Sequence, residues 1–523
     1  MNIKRVFLFV LDSFGIGALP DAEAFGDEGA NTLKSVSQVE GFLLPTMAKL
    51  GLFAIEGNAA YGQTRALIGS YGRLKELSRG KDTVSGHWEM MGLPSDKPMP
   101  TYPHGFPKDI LDKIEAVTGI GTLCNRPYSG TDVIRDYGEE QRRTGKMIVY
   151  TSADSVYQAA AHTDVIPLDA LYAYCEEARK LLTKEHAVGR VIARPFEGSY
   201  PNYVRTSGRH DYALPPPSET VLDRLKSVGC DVIGVGKIGD IFAQRGITES
   251  IPTASNDDGM EKAAALLERD FRGLAFVNLV DFDSRYGHRN DVRGYAEALM
   301  RFDRYLSDFI PRMKEDDLLL VTADHGCDPG TEGTDHTREY VPLLAYRKGL
   351  LPTSLGTGDT FADIGQTLCS LFALSPIEVG RSFAEALALD VDELLEKAGE
   401  ARDLSYAPYS SYRVGAALLT GDGKVYNGCN VESAAFSPTS CAERTALVKA
   451  MSEGERQFMA IAVVGGREKI EPGCTPCGVC RQFLYETAGG ALSVAFLDEN
   501  RTPTVLPLNA LLPYGFSLNS FTN

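Results

Sequence analysis

The sequence predicts an α/β protein made of several domains, and three observations lead to this prediction. The 523 residues are enough for roughly three to four domains of about 150 residues each. Short apolar runs rich in β-branched residues alternate with helical stretches over residues 1–385, as in βα units around a largely parallel sheet. A proline-bounded segment interrupts this pattern. A second, smaller α/β pattern begins after the first one ends.

Four apolar runs are predicted to form the parallel sheet: VFLFVL (6–11), DVIGVG (231–236), LAFVNLV (274–280) and LLLVTA (318–323). Polar residues stand at or just after the ends of these runs: Asp12, Lys237, Asp281, Asp283, Asp324 and His325. In open α/β sheets, ligands bind at the carboxyl ends of the strands. Residues that are far apart in sequence are therefore expected to converge on one site.

Changes in composition mark the predicted domain boundaries. Proline clusters at 94–103 and 215–217 are typical of rigid hinges around an inserted domain. A charged amphipathic helix then leads into a compact unit with strands near 413–420 and 459–466. We expect a core domain of residues 1–95 and 220–388, an inserted domain of residues 96–219 and a C-terminal domain of residues 389–523.

The charge balance argues against two classes of partner. Asp and Glu number 70 against 53 Lys and Arg, a net charge of −17 that repels nucleic acid and anionic membranes. No apolar stretch approaches the about 20 residues of a membrane span, and the run at residues 6–11 is too short for a signal peptide. The ten cysteines are spread thinly, so we expect a reducing cytoplasm and small-molecule substrates.

Three carboxylates and three imidazoles form the first candidate site: Asp12, Asp283, Asp324, His288, His325 and His336. Taken singly, such an Asp is often a helix cap or loop residue, and such a His is often a satisfied surface group. Six together suit a pair of divalent cations, and imidazole nitrogen favours Mn, Fe or Zn over Mg or Ca. The pattern predicts a two-metal centre.

A nucleophile for this centre is expected in KDTVSGHWEM (81–90), which offers the hydroxyls of Thr83 and Ser85. A hydroxyl is a poor nucleophile at neutral pH unless metal coordination deprotonates it. Thr83 is equally well explained as the N-cap of a helix. The spacing alone leaves both interpretations open.

Several segments closely resemble phosphopentomutase, a family of the alkaline-phosphatase superfamily: VLDSFGIGA (10–18), GKDTVSGHWEMMG (80–92), TSADSVYQ (151–158), GRVIARPF (189–196), VDFDSRYGH (280–288), TADHGCDP (322–329) and GTDHTREYVP (333–342). The resemblance runs in order over residues 1–385. It implies an alkaline-phosphatase-like core whose inserted domain is an α/β cap that closes to keep water out.

The same resemblance implies roles for individual residues. One Mn²⁺ would be held by Asp283, His288 and His336, and the other by Asp12, Asp324 and His325 together with Thr83. Thr83 would be the phosphorylated residue, primed by a sugar bisphosphate activator. The family interconverts ribose 1-phosphate and ribose 5-phosphate, including the 2-deoxy sugars.

Substrate contacts are also expected from this resemblance. Ser152 and Asp154 would bind sugar hydroxyls, and the distal phosphate would meet Arg190, Arg194, Arg205 and Lys237. Each arginine is equally well explained by a surface ion pair. His87 and Trp88, next to Thr83, would either shape the substrate pocket or pack in the protein interior. For Trp88, the packing role is favoured.

A second candidate site lies in the C-terminal domain, where no histidine occurs. Cys441 in CAER and Cys477 and Cys480 in PCGVC offer three thiolates, which leave one position of a tetrahedral zinc open. Glu443 would reach the metal-bound water, as in the C-x-E and P-C-x-x-C form of zinc deaminases. The alternatives are a structural zinc with Cys474 or Cys429 as fourth ligand, or no metal. Arg444 and Arg481 are expected to donate to the sulfurs.

The stretch YAPYSSYRVGAALLTGDGKVYNGCNVES with CAERTAL and PCGVCRQ resembles the small homotetrameric cytidine deaminases. That resemblance implies a three-layer α/β/α domain, zinc on the three cysteines and proton shuttling by Glu443. Asn430 and Glu432 would bind ribose hydroxyls, and Tyr412 would stack on the pyrimidine where the family has Phe. Phe436 stands where Tyr is usual. Phe516 in LLPYGF would reach a neighbouring chain's pyrimidine in a homotetramer.

Together these patterns predict a bifunctional nucleoside-salvage enzyme with phosphopentomutase (isomerase) and cytidine deaminase (hydrolase) activity. Its substrates would be pentose phosphates, cytidine and deoxycytidine. For the N-terminal part, a phosphatase or a phosphoglycerate mutase of the same superfamily remains an alternative. A metal-binding scaffold without catalysis is a further alternative, and the net charge disfavours an enzyme that edits bases in nucleic acid.

Overall fold

The computed structural model describes residues 2–63, 66–152, 155–435 and 437–517, and its strands form three sheets. The strands are β1 (Arg5–Leu11), β2 (Ser70–Leu74), β3 (Thr122–Pro127), β4 (Met147–Thr151), β5 (Val156–His162), β6 (Arg190–Ser199), β7 (Asn202–Arg205), β8 (His210–Ala213), β9 (Asp231–Val235), β10 (Glu249–Ile251), β11 (Gly273–Leu279), β12 (Asp317–Thr322), β13 (Val341–Tyr346), β14 (Ser354–Gly358), β15 (Arg413–Thr420), β16 (Val425–Cys429), β17 (Phe458–Gly466), β18 (Ser493–Leu497) and β19 (Pro503–Pro507).

The α-helices lie between these strands and cover the faces of the sheets. They are α1 (Thr32–Ser37), α2 (Pro45–Leu50), α3 (Thr83–Met90), α4 (Lys108–Thr118), α5 (Asp132–Thr144), α6 (Leu168–Leu181), α7 (Val221–Ser227), α8 (Ile238–Ile241), α9 (Asn256–Leu266), α10 (Val292–Arg312), α11 (Ala362–Leu371), α12 (Ala384–Ala388), α13 (Val391–Asp403), α14 (Ala442–Ser452), α15 (Gly478–Ala488) and α16 (Leu508–Leu511).

An eight-stranded sheet in the order β10-β9-β11-β1-β12-β13-β2-β14 forms the core. The four apolar runs of the sequence become β1, β9, β11 and β12, which are parallel to one another. All seven residues of β1 are buried, because helices cover both faces of a parallel sheet. On one face, Phe302 and Phe309 of α10 pack on Phe9 of β1. The carboxyl ends of β1, β11 and β12 therefore share one edge of a rigid layer.

A six-stranded mixed sheet, β3 to β8, is inserted between β2 and β9. Residues of α4 and α6, among them Ile114 and Leu171, join an apolar cluster on one face. Val133 and Ile134 of α5 join a second cluster on the other face. The inserted segment therefore has apolar cores of its own, separate from the cluster of the eight-stranded sheet.

The third sheet has the order β16-β15-β17-β18-β19 and belongs to the C-terminal part. Leu394 and Ala398 of α13 pack on one face, while Ala446 of α14 and Leu484 of α15 pack on the other. This arrangement is the three-layer α/β/α sandwich expected from the sequence.

Direct contacts join the C-terminal part to the core. The backbone N–H of Leu67 donates to the carbonyl of Val505 in the edge strand β19 at 2.7 Å. Arg347 donates to the carbonyls of Leu387 (2.6 Å) and Leu389 (2.7 Å) at the junction of the two parts. Among the described residues, no helix is both long and apolar enough to cross a membrane.

Candidate functional site

The ends of two neighbouring strands bring the first group of ligand atoms together. Asp12 follows β1, and Asp324 and His325 follow β12; one ligand atom from each lies within 4.8 Å of the others. His325 Nε2 is 3.5 Å from Asp12 Oδ1 and 3.4 Å from Asp324 Oδ2. The amide of Asn278 donates to the other oxygen of Asp12 at 2.9 Å. This hydrogen bond orients the Asp12 carboxylate and leaves one oxygen facing the group.

Two short helical turns after β11 and one loop supply the second group. Asp283 lies in the π-helical turn Phe282–Tyr286 and His288 in the following turn, while His336 comes from the loop before β13. Asp283 oxygens lie 3.3 Å from His288 Nε2 and 3.3 Å from His336 Nε2. The rings of His325 and His336 are 4.0 Å apart between centroids, so the two groups adjoin.

Three buried carboxylate oxygens in this cluster accept no hydrogen bond: Asp12 Oδ1, Asp283 Oδ1 and Asp324 Oδ2. Burial raises the pKa of Asp12, and the neighbouring charges of Asp324 and Asp283 raise it further. Buried anionic oxygens without a partner are costly. A cation relieves that cost, and a set of carboxylates and imidazoles fits divalent transition ions. The residues of both groups thus fit metal ions.

Thr83 is the first residue of α3 and faces this cluster. Its Oγ1 is 3.2 Å from His325 Nε2. The side chain of Asp82, not that of Thr83, caps the helix by accepting from the backbone of Val84 and Ser85. Ser85 is buried, and its hydroxyl donates to Asp82 at 2.7 Å. Of the two hydroxyls left open by the sequence, only Thr83 contacts the cluster, and the capping interpretation of Thr83 is wrong.

Close packing holds α3 against the loop after β12. A Cβ placed on Gly86 would lie 2.1 Å from the carbonyl oxygen of Asp324, so only glycine fits this contact. His87 is buried; its Nδ1 lies 2.8 Å from the carbonyl of Thr83 and 3.2 Å from Asp324 Oδ2. His87 therefore links the helix of Thr83 to the cluster. Trp88 packs in the core, with its indole N–H donating to Ile241.

A cavity of about 520 Å³ lies between the inserted segment and the core and is lined by four of the predicted substrate residues, Ser152, Arg190, Arg194 and Arg205. Arg190 and Arg194 share one face of β6, because side chains alternate along a strand. Ser284, next to Asp283, lines the core side. The cavity therefore extends from the arginines of the inserted segment to the residue that follows Asp283 in the core.

Two further arginines, Arg209 and Arg289, line the same cavity and were missed by the sequence analysis. The pairing of β8 with β6 brings in Arg209, and no local motif marks that contact. Arg289 directly follows His288, a position that could have drawn attention to it. Asp211 pairs with Arg209 at 2.7 Å and lies 3.8 Å from Arg190, so Arg190 has an ion pair of the kind considered as the alternative to phosphate binding.

Two predicted substrate residues, Lys237 and Asp154, are not among the described residues that line the cavity. Lys237 follows β9 and is not among the residues that line the cavity; burial raises the pKa of Asp12, and the charge of Lys237 opposes that rise. Asp154 lies outside the described residues.

The second site stands where α14 and α15 begin. Cys441 and Cys477 are the N-cap residues of these helices and Cys480 lies in the first turn of α15; the three sulfurs are within 4.8 Å of one another. Two helix N-termini favour thiolates at this point. A hydrogen bond from Cys480, together with Arg444, lowers the pKa of Cys441 to about 5. Neither Cys474 nor Cys429 belongs to the group, so three sulfurs fit a zinc ion with an open fourth position.

Glu443 is buried beside the sulfurs, and burial raises its pKa. Arg444 lies 3.7 Å from Cys441 Sγ, as expected from the sequence. Arg481 was expected to do the same, and that expectation is wrong. It donates instead to the carbonyls of Pro476 (2.7 Å) and Leu511 (2.9 Å), which ties the C-terminal segment to the cysteine loop.

Several residues expected to bind the nucleoside make hydrogen bonds within the C-terminal part. Asn430 donates to the carbonyl of Tyr412 at 2.9 Å, and Glu432 accepts from the backbone of Tyr409 at 2.9 Å. The half-buried Tyr412 ring interacts with Cys474, and burial raises its pKa to about 12. Gln482 of α15 binds the backbone of Phe516, whose side chain is 49% exposed. Phe436 lies outside the described residues.

These two centres define an enzyme built on metal chemistry, and comparison with known proteins agrees. Residues 4–376 match the metalloenzyme superfamily, and residues 390–495 match the cytidine and deoxycytidylate deaminase zinc-binding region. The phosphopentomutase of Lachnoclostridium phytofermentans is 53% identical over 385 residues, 73% of this chain and 99% of that protein. The phosphopentomutase of Carboxydothermus hydrogenoformans is 55% identical over 383 residues, 73% of this chain and 98% of that protein.

The chain belongs to the metalloenzyme superfamily and, within it, to the phosphopentomutase family, with a cytidine deaminase domain following. The crystal structure of cytidine deaminase from Burkholderia pseudomallei is 45% identical, covering 24% of this chain and 100% of that chain, with a TM-score of 0.23. The predicted fusion is confirmed, and the chain combines an isomerase with a hydrolase.

Proposed function

We propose that the N-terminal part interconverts ribose 1-phosphate and ribose 5-phosphate, and their 2-deoxy forms, through a phosphorylated Thr83. The observation that carries this proposal is the Thr83 hydroxyl 3.2 Å from His325 Nε2, beside carboxylate oxygens that have no hydrogen-bond partner. The core would comprise residues 1–95 and 220–388, the cap 96–219 and the deaminase 389–523. We place the protein in a reducing cytoplasm, because its ten cysteines are free thiols and its substrates would be nucleosides and pentose phosphates.

Two Mn²⁺ ions would be held by the two residue groups, one by Asp12, Asp324, His325 and Thr83, the other by Asp283, His288 and His336. When bound, they activate the Thr83 hydroxyl and screen phosphate charge.

Phospho-Thr83 transfers its phosphoryl group to the free hydroxyl of a sugar monophosphate, and the resulting bisphosphate returns its other phosphoryl group to Thr83. A sugar bisphosphate also primes unphosphorylated Thr83 and so acts as the activator.

The cavity of about 520 Å³ between the proposed cap and the core supplies positive charge for the phosphate that does not react. Arg190, Arg194 and Arg205 offer guanidinium groups that match phosphate oxygens, and Ser152 and Asp154 would bind the sugar. Lys237, which follows β9, would act from the core side. The bisphosphate must turn around between the two transfers, so a closed cap that excludes water prevents hydrolysis of phospho-Thr83.

Product analysis tests this function against the alternative of a phosphatase. With ribose 1-phosphate as substrate, ³¹P NMR is expected to show conversion to ribose 5-phosphate and almost no inorganic phosphate. Release of inorganic phosphate as the main product would favour the phosphatase. Conversion of phosphoglycerates in place of the pentose phosphates would favour the phosphoglycerate mutase.

In the C-terminal part, we propose that cytidine and deoxycytidine are deaminated to uridine and deoxyuridine. Cys441, Cys477 and Cys480 would hold one Zn²⁺, which lowers the pKa of a bound water when present. Glu443 carries a proton from the water to the departing amine, and its raised pKa suits a carboxyl group that must accept and release a proton. Arg444 and the two helix N-termini offset the negative charge of three thiolates.

Asn430 and Glu432 would bind the ribose hydroxyls, and Tyr412 would stack on the pyrimidine. Both polar side chains already hold the segment 405–412 through hydrogen bonds. A bound ribose would therefore share or replace these bonds. This couples nucleoside binding to the position of the Tyr412 ring.

We also propose that the protein is a homotetramer assembled through the deaminase parts. Large apolar side chains are exposed at several positions of this part, including Leu404 (79%), Val479 (66%) and Tyr514 (96%). Exposed apolar patches of this kind mark interfaces. Phe516, whose backbone carbonyl accepts from Gln482 in the helix of Cys480, would extend into a neighbouring chain's site.

Light scattering on the full chain is expected to give about four times the chain mass of 56.8 kDa. Phe516→Ala is expected to raise KM for cytidine several-fold with little effect on the mutase. A chain ending at residue 391 keeps Leu387 and Leu389, the partners of Arg347, and is expected to be a monomer with mutase activity. A full-length monomer with full deaminase activity would contradict the proposal.

A further inference from the structure

A cysteine that the proposed mutase reaction does not use lies against the carboxylate and imidazole cluster. Cys327 is fully buried. One ligand atom each from Asp283, His288 and Cys327 lies within 4.8 Å of the others. The Cys327 sulfur is therefore close enough to Asp283 and His288 to share a metal ion with them.

The backbone fixes this sulfur in place. The N–H of Cys327 donates to the carbonyl of Ser13 at 3.0 Å, and its thiol donates weakly to the carbonyl of Asp335 at 3.5 Å. A Cβ on Gly287 would lie 2.9 Å from the sulfur, so the turn that carries His288 presses directly on it. This packing and the two hydrogen bonds hold the sulfur beside the turn that carries His288.

Asp283 has a buried oxygen, Oδ1, that accepts no hydrogen bond. The imidazole of His288 is oriented by its other nitrogen, because Nδ1 lies 2.5 Å from the carbonyl of Thr334. That contact directs Nε2 toward Asp283 (3.3 Å) and His336 Nε2 (3.1 Å), where a cation would lie between the three side chains. A cation at this point has oxygen, nitrogen and sulfur within reach.

We propose that Cys327 supplies a sulfur ligand that lets this centre capture thiophilic divalent ions, such as Zn²⁺, Co²⁺ or Cd²⁺. Binding replaces the thiol proton by a metal–sulfur bond and releases that proton to solvent. Mn²⁺ prefers oxygen and nitrogen and leaves the thiol protonated, whereas the softer ions favour thiolate. The inference rests on the proposed two-metal centre and adds a ligand to it.

The proposal has a consequence for the mutase. With His336, whose Nε2 lies 3.1 Å from His288 Nε2, the group of Asp283, His288 and Cys327 would supply four ligands, the number found in closed structural zinc sites. A thiophilic ion held in this way offers no open position to a phosphate. The chain needs zinc in its C-terminal part, so the same ion that activates one site would inhibit the other.

Cobalt absorption tests the proposal. The chain is stripped of loosely held metal with EDTA until about one zinc per chain remains on the three cysteines of the deaminase, and Co²⁺ is then added. The wild-type protein is expected to show sulfur-to-cobalt charge-transfer absorption in the near ultraviolet. Cys327→Ser and Cys327→Ala are expected to bind cobalt without that absorption, and Cys124→Ser, in the cap, is expected to retain it.

A second readout is zinc inhibition of the Mn²⁺-loaded mutase. The zinc concentration that gives half-inhibition is expected to be at least about tenfold higher in Cys327→Ser than in the wild type, the size of effect that changes in a metal's ligand shell produce. Charge-transfer absorption that persists in both Cys327 variants, or is absent from wild-type protein that has bound cobalt, would overturn the inference alone. Failure of the stripped protein to bind either Co²⁺ or Mn²⁺ would overturn the proposed centre together with it.

Discussion

Replacing Thr83 by alanine is expected to abolish mutase activity, by roughly 10⁴-fold or more in kcat, as for other enzymes that lose their nucleophile. Deamination of cytidine is expected to stay at the wild-type level, because the three-cysteine site lies in a part with its own sheet and apolar clusters. The measurement is the rate of both reactions on the same preparation.

Two further observations separate a lost nucleophile from a damaged helix. Thr83→Ser keeps a hydroxyl at the first position of α3 and is expected to retain part of the activity. After exposure of the wild type to a sugar bisphosphate, peptide mapping is expected to place phosphate on Thr83. Phosphate on Ser85, whose hydroxyl donates to Asp82, would contradict the assignment.

Replacing Glu443 by glutamine is expected to lower deamination by about 10²- to 10⁴-fold, the usual contribution of a general acid and base. Glutamine keeps the size and the hydrogen bonding of the side chain but cannot carry the proton. Zinc content is expected to remain near one per chain, measured by elemental analysis, and mutase activity is expected to be unchanged.

The matched control is Glu453→Gln, the same substitution at the exposed residue that caps the C-terminus of α14. It is expected to leave deamination unaltered. Near-normal deamination by Glu443→Gln would remove this residue from the mechanism, whereas loss of zinc from that variant would make its role structural.

The framework of the fold could be predicted from the sequence because it depends on local patterns. The strongly apolar runs at 6–11 and 318–323 are buried on both faces and form central strands. The polar residues that follow them meet at one edge of the sheet, as expected for parallel strands. The spacing of cysteines in CAER and PCGVC likewise corresponds to two helix N-termini that face each other.

Other features depend on contacts that no local pattern encodes. The choice between Thr83 and Ser85 required the cap at Asp82 and the 3.2 Å approach of Thr83 to His325. Arg209 lines the cavity beside Arg190 and Arg194 through the pairing of β8 with β6. The role of Arg481 follows from its contact with Leu511, which is distant in sequence.

The central claim is that one chain carries out both reactions at separate metal centres. The most direct measurement assays one purified sample, following ribose 1-phosphate by ³¹P NMR and cytidine by the ultraviolet change on deamination. We expect the wild type to form both ribose 5-phosphate and uridine. Formation of ribose 5-phosphate is expected to be lost only in Thr83→Ala, and formation of uridine only in Glu443→Gln. Absence of either reaction in the wild type, or loss of both in one variant, would contradict the account.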